Sequence, residues 1–206
     1  MTTEKRRILV LFAHPALSRS EANRALARAT MRMDSVTFHD LYAAYPDLDI
    51  DVDAEQAQLR AHDVIVVMCP FYWYSTPAII KEWMDLVLEY GFAYGHDGTA
   101  LAGKTFLMAL TTGALEEAYS SDGYNSFTMP ELLRPIEQTA TLCRMTYLPP
   151  FVLHGARRAS DEGRIGAHVA EWRRLVEALE EDRIDIDAAK THPRLNADLD
   201  AVLLEG

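Results

Sequence analysis

Three short stretches of the chain concentrate residue types that bind ligands and move protons. The first is AHPALSRSEAN, residues 13–23, in which His14, Ser18, Ser20 and Asn23 stand just ahead of Ala25, Leu26 and Ala29 at helical spacing. The first N–H groups of a helix lack intrahelical acceptors and favour negative charge, so hydroxyls and amides gathered there suit a phosphate. Ser18 and Glu21 also have the spacing of a capping box. Both readings use the same helix terminus, and both stay open. The second stretch is PFYWYSTP, residues 70–77, with four consecutive rings, Phe71, Tyr72, Trp73 and Tyr74, after the apolar run Val64 to Cys69. Neighbouring side chains in an extended segment point to opposite sides, so four rings in a row cannot all enter one core. At least one or two are left to wall a surface against something flat. The third is TTGALEEAYSSDGYN, residues 111–125, where Thr111, Thr112 and Gly113 offer hydroxyls and unencumbered backbone N–H groups to the polar edge of a heterocycle, or simply end a strand.

The elements that must position these stretches are legible as alternating patterns. Ile8 to Phe12, Val64 to Cys69 and Thr105 to Thr112 are short, nearly continuous apolar runs, the mark of strands covered on both faces. Ser35 to His39 reads as a further strand, and a fifth is expected within Tyr147 to His154. Helical spacing appears in residues 55–61, in Ile79, Ile80, Trp83, Met84, Val87 and Leu88, near residues 130–143, and in Val169, Trp172, Leu175, Val176 and Leu179. Thr76-Pro77 has the order of an N-cap followed by a first-turn proline. Strands alternating with helices predict an α/β three-layer sandwich: a five-stranded parallel sheet in the flavodoxin-like order 2-1-3-4-5. In that order the three stretches all leave carboxyl ends of strands 1, 3 and 4, around the switch point where such folds bind ligands.

The 206 residues carry 31 acidic against 20 basic side chains, a field that repels polyphosphates and excludes nucleic acid as a partner. GxGxxG and GxxxxGK[ST] are both absent, which argues against a Rossmann dinucleotide site and a P-loop. Cys69 and Cys143 have no metal-ligand spacing and read as core thiols, so no metal is expected. The charged run Glu4-Lys5-Arg6-Arg7 precedes only five apolar residues, which predicts no signal peptide and a cytoplasmic protein. One domain over residues 1–182 is expected, followed by a C-terminal extension, 183–206, in which Leu195, Leu199, Val202 and Leu203 predict a short amphipathic helix.

FAHPALSRSEAN, CPFYWYSTPAIIKEWMDLVLEYGFAYGHDGTALAGK and TTGALEEAY together resemble the NAD(P)H:quinone oxidoreductase family of flavoproteins, in register from about Ile8 to Leu179. The nearest likeness is to KefF-type ancillary subunits of glutathione-gated potassium efflux systems. The resemblance implies a homodimer binding FMN, with FAD as the alternative, and NAD(P)H as electron donor to a quinone or similar electrophile by two-electron ping-pong hydride transfer. It makes His14, Ser20, Glu21, Ala22 and Asn23 the flavin phosphate loop, Glu21 acting through its backbone N–H. Pro70, Phe71, Tyr72 and Trp73 would run along the isoalloxazine, with Tyr74 beside the substrate. Thr111, Thr112, Gly113 and Ala114 would contact the flavin's polar edge, Ala114 replacing a glycine of the mammalian branch. Tyr119 matches a tyrosine near the flavin and is the expected catalytic residue. Asn125 stands where that branch has a proton-transferring histidine, which leaves Tyr119 or water to deliver the proton. Tyr94 and His96 match an aromatic pair that enters the neighbouring subunit's site. The alternative implied function is regulatory: docking on a membrane potassium-efflux transporter, hence a peripheral place at the inner membrane. A one-electron carrier fits less well, because the crowd of rings suggests an enclosed pocket.

Overall fold

The computed structural model describes residues 5–205; Glu4 of the charged run, with the rest of residues 1–4 and Gly206, lies outside the described residues. Five strand positions build the sheet. β1 (Ile8–Phe12), β2 (Val36–Asp40), β3 (Val64–Pro70), β4 (Thr105–Thr111), β5 (Thr146–Tyr147) and β6 (Phe151–Leu153) pair in parallel in the order β2-β1-β3-β4-β5, with β6 also on β4. The expected fifth strand is thus two pieces on one edge. Pro149 and Pro150 have no N–H for the ladder. Phe106 pairs with Tyr147 and Ala109 with Phe151, so the outer strand spends one residue more than β4 between these pairs and bulges there.

Strand alternation divides the core into two layers. Leu9, Leu11, Ile65, Val67, Met108 and Leu110 face one side, against α3 (Val52–Ala61), α4 (Ala78–Val87) and α6 (Arg134–Leu142). Ile8, Val10, Phe12, Val64, Val66 and Leu107 face the other, against α1 (Glu21–Thr30) and α7 (Arg164–Glu180). Two shorter helices, α2 (Leu41–Ala44) and α5 (Met129–Leu132), lie in connections. The helix expected near residues 130–143 is therefore broken at Leu133, ahead of Pro135. Thr76 does not cap α4: Pro77 is itself the N-cap, with ψ 150°, and the helix starts one residue later.

The C-terminal extension folds back on the chain's own core. It forms α8 (Ile186–Lys190), a 3₁₀ turn at Leu195–Ala197 and α9 (Leu199–Val202). Ala189, Leu195, Leu199 and Val202 are buried in the layer that holds Trp172 and Leu179. No helix among the described residues is long and apolar enough to cross a membrane.

A charged cluster is built around a buried carboxylate in the sandwich. The Glu55 carboxylate, 1% exposed, accepts hydrogen bonds from Tyr45 Oη at 2.6 Å and Trp83 Nε1 at 2.7 Å, and pairs with His39 Nε2 at 2.7 Å. Burial pushes its pKa up, but the bonds from His39, Tyr45 and Trp83 outweigh that and leave it below the usual value. The His39 pKa is raised, chiefly by the bond to Glu55. A raised histidine stabilises fully below its unfolded pKa of about 6.5 and loses that contribution as pH rises through the folded value. Denaturant melts are expected to show stability falling above about pH 6.5, with His39→Gln flattening that limb. Glu55→Gln sets an amide donor against indole, phenol or imidazole donors and is expected to cost about 3 kcal/mol at neutral pH; a loss under about 0.5 kcal/mol, the range of ordinary surface changes, would exclude the cluster as a stabilising element.

Candidate functional site

The first stretch forms a 3₁₀ turn, Leu17–Arg19, and then the start of α1. Ser20, not Ser18, is the N-cap: its hydroxyl accepts from the Asn23 N–H at 3.3 Å. Ser18 lies within the 3₁₀ turn, so the expected Ser18–Glu21 box does not form. Glu21 and Ala22 occupy the first two helical positions, where an N–H has no intrahelical acceptor. The Glu21 side chain is exposed, while Ala22 and Asn23 are buried. Asn23 Nδ2 donates to Ser20 Oγ and to Thr111 Oγ1, both at 2.9 Å, tying this loop to the end of β4. Its Oδ1 is buried with no hydrogen-bond partner among the described residues. His14, 7% exposed, is held neutral by burial, which lowers its pKa. Its Nδ1 accepts from the Ala16 N–H at 3.1 Å, so the ring proton sits on Nε2 and is available to donate.

The second stretch is a tight turn. Tyr72 and Ser75 exchange two backbone hydrogen bonds of 3.0 Å, and between them Trp73 and Tyr74 have φ values of 49° and 62°. Two consecutive left-handed residues define a type I′ turn, a place for Asn-Gly rather than for two rings. Each such residue costs on the order of 1 kcal/mol. Phe71 is buried at 7%, Tyr72 and Tyr74 are half-exposed, and Trp73 is 93% exposed. The four rings split between core and surface, as their spacing requires. The Phe71 N–H donates to Thr111 O at 2.8 Å, and Tyr72 meets His14 edge-on at 6.2 Å. Pro70, the last residue of β3, pairs with Thr111.

The third stretch leaves β4 beneath a loop from β6. Gly155 N donates to Ala114 O and Ala156 N to Thr112 O, both at 2.8 Å. The Gly113 and Ala114 N–H groups find no protein acceptor among the described residues. A Cβ built on Gly113 meets nothing within 4 Å, so protein packing does not demand the glycine; it leaves the backbone approachable. Tyr119 lies between Phe71, with centroids 6.3 Å apart, and His154 at 5.1 Å. Burial pushes the Tyr119 phenol pKa up, so it stays protonated at neutral pH.

His154 carries no motif that would single it out in the sequence. Burial lowers its pKa to about 4, which makes it neutral. The Thr112 hydroxyl spends its proton on Ala114 O at 2.7 Å, so across the 3.2 Å contact His154 Nδ1 is the donor. Asn125 accepts from Tyr74 Oη at 3.2 Å, linking the second and third loops. Tyr94 and His96 are not joined to these loops by any hydrogen bond, ion pair or ring contact among the described residues. Tyr94 packs edge-on against Tyr90, and the His96 side chain is 90% exposed beside Asp97.

Unpaired N–H groups at the start of α1 and at Gly113–Ala114 suit a phosphate and a ring carbonyl, the unpartnered buried Asn23 oxygen can accept only from a hydroxyl or N–H, and the exposed Trp73 indole on the loop after β3 suits a flat ring; together they fit a phosphate-bearing planar cofactor. A chain from Cronobacter sakazakii named glutathione-regulated potassium-efflux system ancillary protein KefG is 48% identical over 160 residues, which is 78% of this chain and 87% of that one. The solved structure of general stress protein 14 from Treponema denticola in complex with FMN is 37% identical with a TM-score of 0.79, covering 84% of this chain and 99% of that one. An NADPH-quinone reductase from P. pentosaceus is 34% identical with a TM-score of 0.70, covering 79% and 95%. The family described as flavodoxin-like fold (Flavodoxin_2) matches residues 6–176, and with the 2-1-3-4-5 parallel sheet this places the chain in that family.

Proposed function

We propose that the protein is an FMN-dependent NAD(P)H:quinone-type oxidoreductase working as a homodimer, with FAD as the alternative cofactor. The observation that carries the reading is the coupling of the three loops: Asn23 to Thr111, Phe71 to Thr111, and Tyr119 against Phe71 gather a phosphate end, a ring wall and a phenol at one sheet edge. In this reading the Glu21 and Ala22 N–H groups and the Ser20 hydroxyl hold the phosphate. Gly113 and Ala114 meet the polar edge of the ring, and Pro70 to Trp73 line its side. When bound, the flavin supplies hydride transfer between a nicotinamide and an electron-poor ring. The chain's own part is to stack both flat reactants in one place and to manage the proton.

A quinone taking up a hydride also needs one proton to become a hydroquinone. Tyr119, kept protonated by burial, is the group proposed to donate it and to recover one from solvent. Asn125 has no proton to give at neutral pH and instead orients Tyr74. Tyr94 and His96 are proposed to enter the partner subunit's site, which accounts for an exposed histidine on a loop away from this chain's own. A second reading is favoured by the KefG relatives: an ancillary subunit that docks on a membrane potassium-efflux transporter, with the reductase site as its sensor. Such a role would make a soluble chain peripheral to the inner membrane.

The decisive measurement is the absorption spectrum of the purified protein with FMN, followed by anaerobic NADPH and then a quinone. Bleaching and return of the flavin bands, with parallel double-reciprocal lines, is the expected outcome. Failure to bind either flavin would sink the catalytic reading and leave the docking role. Tyr119→Phe is expected to slow quinone-driven reoxidation by about 10²-fold while leaving reduction by NADPH unchanged in stopped flow; an equal loss in both halves would count against a proton-donor role. Replacing the strained turn by Trp73→Asn with Tyr74→Gly is expected to stabilise the fold by about 1 kcal/mol in urea melts and to weaken FMN in fluorescence titration. If FMN affinity is unchanged, the rings are not its wall.

A further inference from the structure

The C-terminal extension lies outside the residues matched by the family, yet two of its side chains reach toward Tyr119 by separate routes. The Arg194 guanidinium forks onto the Glu116 carboxylate, Nε to Oε1 at 3.1 Å and Nη2 to Oε2 at 2.8 Å, across 78 residues of sequence. Glu116 opens the 3₁₀ turn Glu116–Ala118, and the Tyr119 N–H closes that turn on Glu116 O at 2.9 Å. Arg194 is itself held in place by a bond from Nη1 to the Asn196 carbonyl.

Asn196 supplies the second route. Its side-chain amide imitates a neighbouring strand, accepting from Val152 N at 3.0 Å and donating to Val152 O at 3.0 Å. The adjacent Leu195 N–H donates to Pro150 O at 2.9 Å. The outer edge of β6, which the proline break leaves short, is thereby paired. Two residues beyond Val152 stands His154, whose ring lies 5.1 Å from that of Tyr119 and whose Nδ1 meets Thr112. One route grips the turn that leads into Tyr119, and the other fixes the ring behind it. Leu195, fully buried between them, anchors both to the core.

We propose that the segment Arg194–Asn196 is a brace for the catalytic loop, Arg194 and Asn196 acting as positioning residues through Glu116 and β6 on Tyr119. The inference rests on the proposed reductase reading for its catalytic consequence but not for its structural one. Bidentate guanidinium–carboxylate geometry, with the Arg194 side chain only 18% exposed, makes this pair stronger than an ordinary surface bridge. Arg194 meets the third loop only at Glu116 and Asn196 meets only β6, so neither contacts a group proposed to hold the flavin, and their loss is expected to leave flavin binding in place.

The test uses the full-length chain with FMN and the variants Arg194→Ala, Asn196→Ala and Glu116→Ala. Glu116 is more than half exposed, so its removal breaks the fork from the loop side without disturbing the extension. Hydrogen exchange of residues 113–125 is expected to quicken about fivefold in Arg194→Ala and Glu116→Ala, with β1 and β3 unchanged. Residues 151–154 are expected to quicken in Asn196→Ala. In stopped flow, quinone-driven reoxidation is expected to slow by a similar factor, with reduction by NADPH unaffected. Unchanged exchange in residues 113–125 overturns the brace, as does an effect of Arg194→Ala that Glu116→Ala fails to reproduce. Faster exchange with unchanged reoxidation in an active enzyme overturns the positioning of Tyr119. If the wild-type protein reduces no quinone, the reductase reading fails and the exchange data alone decide the brace.

Discussion

Everything at the candidate site depends on β1, β3 and β4 lying side by side in parallel. Phe12 pairs with Met68 and Met68 with Ala109, while Pro70 pairs with Thr111. Their carboxyl ends therefore stop almost level, and the loops that follow emerge within hydrogen-bonding reach of one another. The pairing is fixed by burial on both faces: a slip of one residue would exchange the side chains of the two core layers. A sheet edge of this kind leaves backbone donors without partners at the end of one strand after another. The unpaired N–H groups at Glu21, Ala22, Gly113 and Ala114 follow from this geometry. They make the edge a place for negative charge and carbonyl oxygens in a chain whose overall charge is negative.

Rigid support and local strain meet at the turn of Trp73 and Tyr74. A type I′ turn built from two aromatic residues persists only where its surroundings over-determine it. Here they do so from both sides: Phe71 is locked to Thr111, and Pro77 opens a helix whose first large apolar residues, Ile79 and Ile80, are fully buried. The turn cannot relax without disturbing β3 or α4. What it gains is an indole held out in solvent at the sheet edge, a poor arrangement for a free protein and a good one for a flat ligand.

The sequence carried the fold because the central strands β1, β3 and β4 are apolar on both faces and the helices on one, and these patterns survive any detail of loop structure. It carried the three candidate stretches because hydroxyls, rings and glycine fall directly after strands. It did not show which serine caps α1, since Ser18 and Ser20 both precede helical spacing and only the 3₁₀ turn decides between them. Nor did it show the turn at Trp73, because rings are not turn formers and the strain is held by contacts elsewhere. Pro149-Pro150 was visible, but whether it ended the last strand or split it depended on one extra residue against β4. His154 and Arg194 were illegible for the same reason. A single histidine or arginine has no pattern, and each owes its place to partners 42 and 78 residues away.

The reductase and the ancillary-subunit readings ask different things of the same loops. Hydride chemistry needs an interior: a phenol kept protonated by burial, a neutral imidazole behind it, and water kept from the reacting face. Regulation of a partner needs only that occupancy of the site change a surface the partner touches, by as much as the two states differ in affinity. The inward and outward sides of the candidate site lie on neighbouring residues. Tyr119 and His154 are packed inward, while Trp73 and Tyr124, more than nine-tenths exposed, sit on the loops bearing Tyr72 and Tyr119. The two readings therefore separate by residue: Tyr119 bears on the proposed chemistry alone, Trp73 stands at once in the proposed flavin wall and on the exposed rim, and Tyr124, outside that wall, bears on docking alone.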